Sequence, residues 1–296
     1  MIRTKTKTKK IVDEEKELKV SFFSKNPYTC PACNEKFHKE ELLSGGGRMI
    51  AGSLTEELHR LYEPSVKYGE VYPLAYNSVV CPQCWFASTE TDFPLLPDMK
   101  VAAVNADRER RKADTLLIFP DVDFTEPRGL VEAAASQYLT LRCYDFYLKN
   151  SSPTIKQGIA SLRTAWFLDD LNRKNPGQHY DWLATLFRKK AQYFYTEALE
   201  REQKQIETMS AMKSFGPDID KNYSYEGMLY IYAYLCFKYG PAEGSEDRRA
   251  TLEAARRTIA KLFGMGKKSK DKPGAFLDLA RKVYNSINEE LGVGDV

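Results

Sequence analysis

Two cysteine pairs carry the chemistry that this sequence can perform. Cys30-Pro31-Ala32-Cys33 and Cys81-Pro82-Gln83-Cys84 share the pattern C-P-x-C. A C-x-x-C turn presents two thiolates to one side of an ion, and two such turns complete the tetrahedron that zinc prefers. The proline behind the first cysteine fixes φ and stiffens each turn. The expectation is one structural Zn2+ held by Cys30, Cys33, Cys81 and Cys84. A redox role accounts less well for two matching pairs, and a catalytic zinc needs an open position that four thiolates do not leave. The residue after each pair is often left-handed in such turns. Asn34 suits that conformation and Trp85 does not. Four thiolates around one divalent ion leave excess negative charge, which backbone N–H groups and Lys36, Lys39 or Arg48 could offset.

The remaining reactive residues point elsewhere. Cys143 and Cys236 stand alone in apolar helical stretches, where a free cysteine packs as a small hydrophobe. His38, His59 and His179 are expected in surface, packing or capping roles. No P-loop, G-x-G-x-x-G, G-x-S-x-G or H-E-x-x-H is present, so the sequence leans away from an enzyme and names no catalytic residue.

The elements that must position the cysteines divide the chain into four parts. Residues 1–20 form a charged tail, with Arg3, Lys5, Lys7, Lys9 and Lys10 ahead of Asp13, Glu14, Glu15 and Glu17. Residues 21–95 form a small zinc-ribbon-like α+β module. Within it Gly45, Gly46 and Gly47 mark a turn. The capping box Ser53-x-x-Glu56 predicts a short helix with Leu54, Leu58 and Leu61 on one face, and Ala75–Val80 reads as a strand into the second pair. Residues 96–129 are a connector, punctuated by Pro97, Pro120 and Pro127, with helical character over Lys100–Ile118.

Residues 130–292 are mainly α. Helices are expected over Leu130–Lys149, Ile155–Leu171, Tyr180–Met209, Tyr223–Lys238, Arg248–Phe263 and Ala275–Leu291, joined by loops short enough for antiparallel neighbours. A small residue, a large one four later and an apolar one three later recur at Gly158/Leu162/Ala165, Ala191/Tyr195/Ala198, Ala255/Ile259/Leu262 and Ala280/Tyr284/Ile287. That spacing resembles the second helix of tetratricopeptide repeats, where the small residue admits a close neighbour. An irregular helical bundle gives the same pattern, and the Trp-x-x-Leu-Gly part of the consensus is absent. The architecture expected is a mainly α, tetratricopeptide-like helical repeat bundle behind the small N-terminal module.

Bulk composition fits this reading. The chain has 296 residues, 43% of them hydrophobic, with 44 basic against 41 acidic side chains and a net charge of +3. Such balance argues against an obligate nucleic-acid binder. The longest apolar run, Met228–Phe237, is too short to span a bilayer, and the polar N-terminus has no secretory pattern. A cytoplasmic location without membrane insertion is expected.

The order of motifs resembles a bacterial family, the "domain of unknown function 2225". The resemblance rests on Cys30-Pro-Ala-Cys33, then Pro73-Leu74-Ala75-Tyr76, Val79-Val80 and Cys81-Pro-Gln-Cys84, continuing through Trp85-Phe86-Ala87-Ser88 to Asp92-Phe93. It covers residues 28–93. Trp85 stands where members commonly have glycine, and the insert Gly45–Tyr72 differs from the basic, strand-like segment the family implies. Members often continue into tetratricopeptide-like helices, and the family brings no established activity.

The function expected is therefore a non-catalytic zinc-binding scaffold for a protein or peptide partner, with Tyr223, Tyr225, Tyr230, Tyr232, Tyr234 and Tyr239 as candidates for a concave binding face. The alternative is a nucleic-acid-binding zinc ribbon that uses the N-terminal lysines and stacks bases on Trp85 or Phe86.

Overall fold

The structure, a computed structural model, describes residues 19–210, 212–221, 223–264 and 274–293. The basic and acidic blocks of the N-terminal tail lie outside the described residues. The chain opens with short antiparallel hairpins. Strand β1 (Ser21–Phe23) pairs with β4 (Glu40–Leu42), and the pair encloses a tighter hairpin of β2 (Tyr28–Thr29) with β3 (Lys36–Phe37). Strands β5 (Ile50–Leu54) and β6 (Arg60–Glu63) form a third hairpin, and β7 (Ser78–Val80) with β8 (Ala87–Thr89) a fourth. Among the described residues eight α-helices follow: α1 (Val101–Ala106), α2 (Arg108–Ile118), α3 (Leu130–Cys143), α4 (Pro153–Lys174), α5 (Tyr180–Gln203), α6 (Ser224–Tyr239), α7 (Glu246–Gly264) and α8 (Gly274–Leu291). No described helix is long and apolar enough to cross a membrane.

Several elements differ from expectation, each for a local reason. The segment after Ser53 is the β5–β6 hairpin and not a helix. Thr55 takes the capping position in a turn instead: its N–H donates to His59 O (2.9 Å), and its Oγ1 accepts from His59 N (3.1 Å). Leu58 sits left-handed at φ 57 in that turn, tolerated because its fully buried side chain anchors the hairpin in the helical core. The insert 45–72 is thus strand-like after all. Before the second cysteine pair, a 3-10 turn occupies Pro73–Tyr76, so the strand begins only at Ser78. The helical stretch over 100–118 breaks at Asp107 into α1 and α2. Helix α3 stops at Cys143, where a 3-10 turn and the run to Pro153 take over. Helix α5 ends at Gln203, followed by left-handed Gln205.

Each helix from α3 to α8 packs on the next, and α6 also meets α8. The longest contact joins α4 and α5, which run antiparallel: Thr154 lies by Arg201, Gly158 by Tyr195 and Asp169 by Arg188. The small residues singled out in sequence stand at these approaches. A Cβ on Gly158 would come within 2.8 Å of the Tyr195 ring, and Ala191, Ala255 and Ala280 are fully buried. Helices of this length gain their stability chiefly from such burial of one face rather than from propensity.

The six tyrosines proposed for a concave face are packed instead. Tyr223, Tyr230, Tyr232 and Tyr234 are buried, and Tyr225 and Tyr239 are partly buried against the same core. Tyr223 stacks on Phe276 of α8 and Tyr230 meets the same ring edge-on, so α6 is the central helix of its neighbourhood and its aromatic stripe is interior.

Gly158→Ala tests the α4–α5 contact. Alanine gains roughly 1 kcal/mol of helix propensity over glycine, yet overpacking against Tyr195 costs about 1–3 kcal/mol. We expect a net lower urea midpoint. An unchanged or raised midpoint would mean that the two helices separate freely at this crossing.

Candidate metal centre

Two of the hairpins end in the same turn. In the first, the Cys30 N–H donates to Glu35 O (2.8 Å) and the Asn34 N–H to Cys30 O (2.9 Å). In the second, the Cys81 N–H donates to Phe86 O (3.0 Å) and the Trp85 N–H to Cys81 O (2.8 Å). The residue after each pair is left-handed, Asn34 at φ 62 and Trp85 at φ 57. Trp85 therefore adopts the conformation expected to disfavour it. Its indole meets Phe124 edge-on at 5.5 Å and has Lys112 over its face, so side-chain packing holds the backbone there.

The two turns face each other. The four sulfur atoms of Cys30, Cys33, Cys81 and Cys84 all lie within 4.8 Å of one another. Cys30 is 3.6 Å from Cys84, and Cys33 is 3.6 Å from Cys81. A disulfide needs about 2.05 Å, and all four are free thiols. A tetrahedron of sulfurs at the ordinary zinc–sulfur distance has edges of about 3.8 Å. The cluster is compatible with a single metal ion. Cys30, Cys81 and Cys84 are fully buried and Cys33 partly so.

Among the thiols themselves, hydrogen bonding from Cys30, then Cys81, pulls the Cys84 thiol down to about 2. Contacts with Cys81 and Cys84 push Cys30 far above the ordinary thiol range. Sulfurs crowded this way cannot all ionise without a cation between them, and a cation binds as they release their protons.

The surroundings are built from the connector. Arg111 of α2 is fully buried. It donates to Cys84 O (2.8 Å), Trp85 O (3.2 Å) and Val104 O (3.2 Å), and pairs with Asp107 (2.9 Å). It thereby ties the second cysteine turn to the bend between α1 and α2. On the other side, Asn105 Nδ2 donates to Ala32 O (2.7 Å) in the first turn. Sequence reasoning missed both residues, because Arg111 looked like one charge in a balanced helical run. Of the cations it named, Lys39 is committed to Glu90 (2.6 Å), Arg48 lies over the Tyr68 ring, and Lys36 is exposed. What favours charge at the sulfurs besides the thiols themselves is backbone: the Phe86 N–H acts on Cys84 and the Cys84 N–H on Cys81.

The other singled-out residues lie apart from the cluster or close it off. The Cys143 sulfur accepts the Ala87 N–H at 3.4 Å, and burial pushes its thiol up to about 11. Burial likewise pushes the Cys236 thiol up, so both are core thiols. His38 contacts Ser24 O through Nδ1 (2.6 Å). His59 stacks on Trp166 at 4.1 Å and reaches Asp218 at 2.6 Å. His179 is exposed at the left-handed start of α5 and makes no capping bond. Phe86 is fully buried against Phe93 and Trp85 is committed to Phe124, so neither is a free platform for a base.

Comparison with known proteins places this arrangement in a wider group. A family described as "Uncharacterized protein conserved in bacteria (DUF2225)" matches residues 23–287. A Borreliella burgdorferi protein, called "Uncharacterized protein", is 40% identical over 275 residues, covering 92% of this chain and 98% of its own length. No solved structure matches.

Arg111→Met removes the donors of three buried carbonyls while keeping the volume. Leaving such groups unpaired costs about 1–3 kcal/mol each, so we expect a loss of about 3 kcal/mol or more in urea unfolding and faster reaction of the four thiols with a disulfide reagent. Wild-type thiol reactivity in this variant would show that Arg111 does not hold the second turn.

Proposed function

The chain belongs to that conserved bacterial family, and on this premise we propose that it is a non-catalytic zinc protein that serves as an interaction scaffold. The observation that carries the zinc assignment is the buried set of four sulfurs at tetrahedral spacing. Four thiolates suit zinc or iron and leave no coordination position for substrate. Zinc fits the structural task, because two separate hairpins with little core of their own meet at the sulfurs, with Tyr28 and Lys39 reaching Glu90 beside them. Structural zinc contributes roughly 10–16 kcal/mol of apparent binding energy in small peptides, all of it folding energy.

The scaffold reading draws on the helices. With the α6 tyrosines interior, the surface that suits a protein partner is the outward side of α5. Trp182 (61% exposed), Leu186 (39%) and Tyr193 (54%) recur at four and seven residues and so form one stripe along the helix. Exposed aromatic residues of this kind anchor protein interfaces. A partner with an apolar, protein-like contact surface is the class that this stripe fits, and tetratricopeptide-like helices present such surfaces.

Metal analysis of the purified chain tests the reading. We expect one zinc per chain in colourless protein. Zinc should be released as the pH falls, since ligation needs thiolates, and Cys81→Ser should lose both the metal and the fold of residues 21–95. Iron in a coloured protein, or no bound metal, would remove the assignment. For the partner face, Trp182→Ala combined with Tyr193→Ala should leave the thermal midpoint unchanged and abolish co-purification of partners from the native host. Undiminished co-purification would refute the α5 stripe as the docking face.

A further inference from the structure

Arg163, in the middle of α4, is 7% exposed. Its Nε donates to Pro217 O and its Nη1 to Asn77 Oδ1, both at 2.6 Å. Among the described residues Nη2 has no protein acceptor, and no carboxylate pairs with the guanidinium. The acid nearest in charge, Asp218, is committed elsewhere: its carboxylate takes His59, Arg60 N–H and Ile219 N–H. A guanidinium keeps its proton, so the fold buries a permanent cation that feels the Asp218 charge but has no carboxylate hydrogen-bonded to it, an arrangement that costs folding free energy unless something else satisfies the remaining donors.

Arg163 lines a cavity of about 820 Å³ between the end of the β7–β8 hairpin, α3, α4 and the chain 212–221. That volume is in the range of small-ligand sites, roughly 300–1,000 Å³. A second acid on the wall, Asp92, is also occupied, by Lys156 (2.7 Å), Tyr144 (2.8 Å) and Thr89 (3.1 Å). Lys221 adds another positive charge at the exposed lip. The hydroxyls of Thr91, Ser151 and Ser214 and the apolar faces of Leu95, Tyr147 and Ile159 complete the lining. The cysteines lie outside it, so the cavity stands independently of the zinc assignment.

We propose that this cavity binds a small organic anion of nucleotide size, whose phosphate or carboxylate oxygens take the remaining donors of Arg163 at Nη2 and whose body rests on the apolar wall. The hydrogen-bond acceptor that Arg163 Nη2 lacks among the described residues is the ligand's own acidic group. Planar two-point recognition of an oxyanion is what a guanidinium offers and an ammonium does not.

Calorimetric titration of the full chain with adenosine monophosphate, citrate, inorganic phosphate and uncharged adenosine tests this. Adenosine monophosphate or citrate is expected to bind, and whichever binds tighter identifies the acidic group as phosphate or carboxylate. Adenosine should bind at least about tenfold more weakly than its monophosphate, because it lacks the charged hydrogen bonds. Arg163→Lys should weaken the binding anion about tenfold by losing the fork. Lys221→Glu, at an exposed position, should weaken it several-fold with an unchanged thermal midpoint, and it decides the matter if Arg163→Lys fails to fold. The proposal is overturned if none of the three anions binds at about 10 mM, the millimolar floor of specific recognition. It is equally overturned if adenosine binds as tightly as the monophosphate, or if Lys221→Glu and a folded Arg163→Lys both bind as wild type.

Discussion

Four sulfur atoms confined within 4.8 Å constrain everything around them. The two turns that supply them come from hairpins far apart in the chain, and each turn needs its own left-handed residue to aim both thiols the same way. Fixing the sulfurs fixes the hairpins, and the chain between residues 34 and 80 must then leave and return within that frame. The entropy of closing such a loop grows only with the logarithm of its length, so the insert is free to build structure of its own.

The insert uses that freedom to tie the cysteine module to the helices. Leu58 enters the helical core. Glu57 beside it accepts from Trp166 Nε1 (2.6 Å) and Arg188 Nε (2.6 Å), and Tyr230 donates to Glu56 O (2.7 Å). One hairpin turn thus contacts α4, α5 and α6 together. His59 adds its stack on Trp166 and its contact with Asp218. Burial alone would raise the Asp218 carboxyl, yet the His59 hydrogen bond holds it below its ordinary value. The same aspartate gives its hydrogen bonds to the insert and reaches Arg163 only through its charge, so the anchoring of the hairpin leaves part of the Arg163 guanidinium without a bonded acceptor.

Arg111 and Arg163 show opposite solutions to burying a guanidinium. Arg111 spends its donors on carbonyls and pairs its charge with Asp107. Arg163 has Nε and Nη1 bonded, has no acceptor for Nη2 among the described residues, and lines a cavity. Buried charge is tolerated when paired and bonded, and the difference between these two residues separates a structural brace from a site with room for a ligand.

Residue types and spacing by themselves determined the cysteine quartet, the mainly α continuation, the packing role of Cys143 and Cys236, and the helix positions where Gly158 and Ala191 admit close neighbours. These follow from local chemistry: ligand spacing in a turn, and the period of a helix face. The hairpin at residues 50–63 was not legible, because the pattern Ser53-x-x-Glu56 reads the same in sequence whether Ser53 caps a helix or ends a strand, and burial of Leu58 decided for the turn. The tyrosines of α6 were legible as a stripe but not as interior, since helical period says which residues share a face and not what covers it. Trp85 took a left-handed backbone through its contact with Phe124. The roles of Arg111 and Arg163 were beyond the sequence altogether. A buried cation is defined by which carbonyls and carboxylates reach it, and those partners lie tens of residues away, brought together only by the tertiary fold.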